Sequence, residues 1–139
     1  MKFSLNRESL LKPLLLVSGA VERKSTLPIL GNILFDVSEQ SLKLTATDLE
    51  LEMVSYCEVD NHAENGKLTI PARKLLDICK SLPDQSLLAF ETDNEVVKIS
   101  TGRSKYSLST LPASDFPNIE EWKGDVEFKL LKSELLRLI

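Results

Sequence analysis

The amino-acid sequence predicts an α+β fold made of two βαβββ units, with helices on one face of antiparallel sheet. Three observations predict it. One short frame of apolar positions occurs three times without gaps, short alternating segments follow its first two copies, and basic residues gather in the helical stretches of a chain that is acidic overall.

The frame is apolar, any, apolar, four others, then two leucines. It reads KFSLNRESLLK at 2–12, KLTIPARKLLD at 67–77 and EFKLLKSELLR at 127–137. The aligned positions are Phe3, Leu68 and Phe128, then Leu5, Ile70 and Leu130, then the pairs Leu10-Leu11, Leu75-Leu76 and Leu135-Leu136. Alternation followed by paired leucines predicts a strand running into a helix. Offsets of 65 and 60 residues exceed the period of most solenoids, so each unit holds more than a helical pair.

Three further strands are expected in each unit. In the first they are Ile33 to Val37, Leu42 to Leu44 and Leu49 to Met53; in the second, Leu87 to Phe90, Val96 to Ile99 and Tyr106 to Leu108. Turn residues at 38–41 and 92–95 punctuate the first hairpin of each. The stretch 111–125 has two prolines, a glycine, four acidic residues and no periodicity, and reads as a linker. Residues 1–125 are thus expected to form one domain, and 126–139 the first strand and helix of a second, truncated one.

Bulk properties set outer limits. A chain of 139 residues, 42% hydrophobic and 27% charged, is ordinary for a globular protein with room for about one domain. Its longest nearly apolar run, 10–17, is interrupted by Lys12 and Pro13, too short for a bilayer or a secretory signal, so the chain reads as cytosolic. Cys57 and Cys79 lack metal-ligand spacing, His62 is the only histidine, and both thiols are expected as small buried hydrophobes. Neither metal nor cofactor is expected.

Charge is not spread evenly. Stretches 6–24, 71–82 and 129–139 hold ten basic residues against four acidic, a surplus of six; the remainder holds seven against seventeen, a deficit of ten, giving the net charge of −4. Arg73, Asp77 and Lys80 share one helical face by spacing, and Arg7, Lys12, Lys132 and Arg137 recur within the frame. For any single helix this describes a solvated face; for all three it also suits a surface that meets phosphate without reading bases. No aromatic residues interleave the cations, so double-stranded rather than single-stranded nucleic acid fits.

Longer motifs carry a resemblance. KSTLPILGNILFDV at 24–37, TATDLELEM at 45–53, IPARKLLDICKSLP at 70–83 and GRSKYSLSTLPASDFPNIEEW at 102–122 resemble the β subunits of bacterial DNA polymerase III, the sliding-clamp family, and the likeness covers essentially the whole chain. It implies a DNA clamp fold: three double-βαβββ domains per subunit, two subunits closing head to tail into a homodimer ring around double-stranded DNA. It implies no catalysis and no cofactor. An ATP-dependent clamp loader would place the ring, and the DNA polymerase III catalytic subunit and loader would bind through later domains.

Residue by residue, the resemblance makes Arg73, in the Pro-Ala-Arg-Lys motif, and Lys24, where the family usually has an arginine, candidate DNA contacts. Arg23, Arg7, Lys12 and Lys80 join them by charge. Arg103, Lys105, Tyr106 and Leu108 resemble the edge strand that pairs with a partner subunit, with Lys74 nearby; Tyr106 replaces the phenylalanine common there.

Two other classes of protein share some of these features. Asp48, Glu50 and Glu52 alternate as if on one strand face, which would suit a metal-dependent phosphodiesterase, yet no further acidic motif converges on them. A protein-interaction module with no nucleic-acid role is the other. Gly66-Lys67 lacks the earlier glycine and following hydroxyl of a phosphate-binding loop and reads as a turn into a strand; His62 sits in a polar loop without a nucleophile.

Overall fold

The computed structural model describes residues 1–22, 24, 26–117 and 126–139. Lys2–Asn6 (β1) alternates across its faces, so Phe3 and Leu5 enter the core while Lys2 and Asn6 meet solvent. It runs directly into Arg7–Val17 (α1), where Leu10, Leu14 and Val17 form the buried stripe. Asn6 supplies no side-chain cap; instead the Arg7 N–H donates to the Ser86 carbonyl at 2.8 Å, so the second unit satisfies an orphan donor of the first.

Single 3-10 turns at Ser18–Ala20 and Pro28–Gly31 lead to Asn32–Ser38 (β2), Ser41–Thr47 (β3) and Glu52–Glu58 (β4). The second unit repeats the order with Gly66–Pro71 (β5), Ala72–Ser81 (α2), Leu87–Asp93 (β6), Val96–Thr101 (β7) and Ser104–Ser109 (β8). A 3-10 turn at Ala113–Asp115 and a helix at Lys132–Leu138 (α3) complete the described elements.

The two units exchange their first strands. One sheet runs β1-β6-β7-β8 and the other β4-β3-β2-β5, all neighbours antiparallel. Thus β1 pairs with the second unit, Phe3 opposite Phe90, and β5 with the first, Ile70 opposite Ile33. Phe3 stacks on Phe90 with centroids 4.7 Å apart, and Phe35 from the other sheet approaches both at 6.5 and 6.3 Å. That triad joins the sheets in one continuous core, each ring pair contributing about 0.5–1.5 kcal/mol beyond its burial.

Two of the four sheet edges are covered. Asp60 and Glu64 donate backbone N–H groups to Ser4 and Lys2 on β1, and Leu111 bridges to Thr69 on β5. At that bridge Thr69, fully buried, donates its hydroxyl to the Leu111 carbonyl at 2.8 Å and accepts from the Leu111 N–H and from Asn32 Nδ2. Among the described residues, β4 and β8 have no partner on their outer sides.

Three expectations change. The strand expected at 49–53 starts at Glu52, because Asp48–Leu51 is a tight turn with Leu49 at φ 80 and the Asp48 carboxylate accepting from the Glu50 and Leu51 N–H groups. Asp48, Glu50 and Glu52 therefore do not line one strand face. No strand forms at 127–131, where no described strand lies alongside to share ladder bonds; α3 follows with Phe128, Leu135 and Leu136 exposed. The start of the expected linker instead packs on the domain, since Leu111 is bridged and Phe116 packs on Ile29 and Leu30; residues 118–125 lie outside the described residues.

Candidate nucleic-acid interface

The two helices of the exchanged units lie antiparallel. Arg7, at the start of α1, donates from Nε to the Cys79 carbonyl in the last turn of α2 at 2.7 Å. At the opposite end, Ser18 and Val21 beyond α1 share an open groove of ≈ 290 Å³ with Ala72, Arg73, Leu76, Asp77 and Lys80 of α2. Leu75 and Cys79 anchor α2 in the core, which turns Arg73, Lys74, Asp77 and Lys80 to solvent.

Arg73 and Lys80 are therefore brought together at one groove, and neither is held in an ion pair among the described residues. Lys12 is exposed on α1, and Lys24 is exposed in the loop that follows, its backbone N–H donating to Glu22 Oε1 at 3.0 Å. Arg23 lies outside the described residues.

Arg7 does not join them. Besides Cys79, its guanidinium meets the Glu8 and Asp84 carboxylates, each at 2.9 Å, and its side chain is only 13% exposed. It is a strut between helices rather than a surface cation, and α1 consequently presents Glu8, Lys12 and the apolar Leu15 and Leu16. The charge count by segment missed this because it cannot tell an inward arginine from an outward one.

On the β8 edge, Arg103 and Lys105 are exposed, Tyr106 is half-buried against the core and Leu108 is buried within it. Pairing of Tyr106 with Ile99 and Leu108 with Val97 fixes this alternation. Arg103 also borders a groove with Leu82 and Pro83 just beyond α2.

Other reactive groups are committed elsewhere. Burial pushes both thiols, Cys57 and Cys79, up to about 11, away from nucleophilic thiolate. The N–H bonds from Leu51 and Glu50 hold the Asp48 carboxyl below the usual carboxylate range, as expected of a turn cap.

Antiparallel helices with solvent-facing cations, laid on two strand-exchanged four-stranded sheets with open edges at β4 and β8, define a clamp-fold domain. Residues 1–120 match the family described as DNA polymerase III beta subunit, N-terminal domain, and the chain belongs to that family. It is 50% identical over 139 residues to the beta sliding clamp of Vibrio harveyi, spanning 96% of that relative. It is 51% identical to the beta sliding clamp of Pseudomonas putida and 49% identical to that of Escherichia coli K12, spanning 38% of each. The crystal structure of DNA polymerase III subunit beta from Pseudomonas aeruginosa superposes with a TM-score of 0.94 at 49% identity, covering 99% of this chain and 37% of that one. The sliding clamp of Bartonella birtlesii bound to griselimycin superposes at 0.92 with 36% identity, over 97% and 36% of the two chains. The phosphodiesterase reading finds no support among these relatives, and its three carboxylates are not assembled here.

Proposed function

We propose that this chain supplies the first domain, residues 1–125, and the opening segment of a second, residues 126–139, of a ring-shaped, non-catalytic clamp. The ring encloses duplex DNA and tethers DNA polymerase III to it during replication in the cytoplasm. The observation that carries this is the α2 groove, where Arg73 and Lys80 meet solvent together without ion-pair partners among the described residues. Cations placed so can meet phosphate oxygens of any sequence, and their small number keeps the grip weak enough to slide.

Lys12 and Lys24 extend the positive surface, and Arg23 joins the candidate contacts by its charge. The open β8 edge offers its unpaired backbone to a second subunit, head to tail, with Arg103, Lys105 and Lys74 meeting carboxylates beside an apolar anchor of Tyr106 and Leu108. The polymerase and the ATP-dependent loader engage later domains.

Retention on circular versus linearised DNA tests the reading in a ring-forming polypeptide that carries this domain. A topological tether stays on circles and runs off linear ends. Equal retention on both, or retention indifferent to Arg73→Gln with Lys24→Gln, overturns it.

A further inference from the structure

Asp77 stands between Arg73 and Lys80 in the α2 groove, four residues after one and three before the other. It is exposed, and among the described residues its carboxylate makes neither a hydrogen bond nor an ion pair, so it is not spent on holding α2 together. It is also the only acidic residue of that helix.

The repeat frame sharpens the point. In the other two copies the position matching Asp77 is basic, Lys12 and Arg137. An anion thus occupies, within the cationic groove, the place where the frame otherwise sets a cation.

We propose that Asp77 weakens the groove's hold on the phosphate backbone and so sets how loosely duplex DNA is held. This rests on the duplex-binding reading above. A phosphate drawn to Arg73 and Lys80 comes within a few ångströms of the Asp77 carboxylate, and the repulsion offsets part of the attraction while leaving both cations in place. Across water, one such like-charge encounter changes affinity about threefold at low salt, and less as ions screen it.

Titration of the 139-residue chain with a short DNA duplex at low salt, followed by NMR shifts of α2 amides, separates the possibilities. Asp77→Asn is expected to tighten binding about threefold, whereas Arg73→Gln and Lys80→Gln weaken it. If Asp77 acts on phosphate directly, its gain persists in an Arg73→Gln background; if it acts only by restraining Arg73, the gain disappears there and the proposal falls. Weakening by Arg73→Gln and Lys80→Gln with no tightening by Asp77→Asn overturns the proposal and leaves the duplex reading standing. Absence of binding, or indifference to all three substitutions, overturns the proposal, while the duplex reading is decided by retention of the ring on circular DNA.

Discussion

Arg7 donates its Nε–H to the Cys79 carbonyl at 2.7 Å, fastening the first residue of α1 to the last turn of α2. Carbonyls at the end of a helix have no partner within it, and a guanidinium there offsets both the missing bond and the partial negative charge. The accompanying carboxylates matter less, since Asp84 is 90% exposed and Glu8 47%. Arg7→Ala is expected to lower stability by about 2–3 kcal/mol in urea unfolding, and Arg7→Lys to recover only part of it because the planar fork is lost. A loss below half a kcal/mol would show the strut to be incidental.

Thr69 holds the exit of the chain from the second unit. Thr69→Val leaves Asn32 Nδ2 and the Leu111 backbone without their shared partner, and the expected cost is about 1–3 kcal/mol. The Leu111 amide should then exchange with solvent faster than amides of β2, while Thr69→Ser retains protection. Hydrogen exchange read by NMR checks both.

Strand exchange makes the units interdependent. A peptide of residues 66–109 contains β5, α2 and β6 to β8 but lacks β1, on which β6 pairs, and β2, on which β5 pairs. Far-ultraviolet circular dichroism of that peptide should show an unfolded chain. Within the whole chain, Phe3→Ala should cost about 3–5 kcal/mol and lower the stability of both sheets in a single transition.

Acid should unfold the domain partly through three carboxylates. Glu8 is held below the ordinary range chiefly by the Gln85 N–H, Asp48 by the Leu51 N–H and Asp93 by the Lys98 ammonium at 2.6 Å. A carboxyl whose folded pKa is depressed stabilises the native state above its unfolded pKa, and that contribution disappears as pH falls through the folded value. The window therefore opens near the ordinary values of 4.5 for Glu8 and 3.8 for Asp48 and Asp93 and extends downward. Replacing all three by their amides should lower stability at neutral pH and flatten its fall in acid, as measured by urea unfolding across a pH series.

Much of this was legible in the sequence, and particular residues show where legibility stops. Phe3, Leu5, Leu68 and Ile70 announced β1 and β5 because alternation is local, and Leu10 with Leu75 announced the helices. Pairing partners are not local: the same frame is compatible with each first strand joining its own unit or the other, and only the fold shows β1 beside β6. Leu49 and Leu51 imitate a strand, but the Leu49 N–H donates to Thr47 Oγ1, the Leu51 N–H to the Asp48 carboxylate, and Leu49 takes positive φ, so local turn chemistry overrides alternation. Phe128 and Leu130 carry the strand pattern without a described partner, and pattern alone makes no sheet. In the groove, Arg73 was legible from spacing and resemblance, whereas the inward turn of Arg7 depends on Cys79, seventy-two residues away.

The traded strands also bear on heredity. The matching frames at 2–12 and 67–77 are consistent with an ancient duplication, and once its halves had swapped β1 and β5, neither could be discarded or shuffled into another gene by itself. Recombination would have to move both together, which makes the intertwined pair, rather than either copy, the smallest piece that can be passed on.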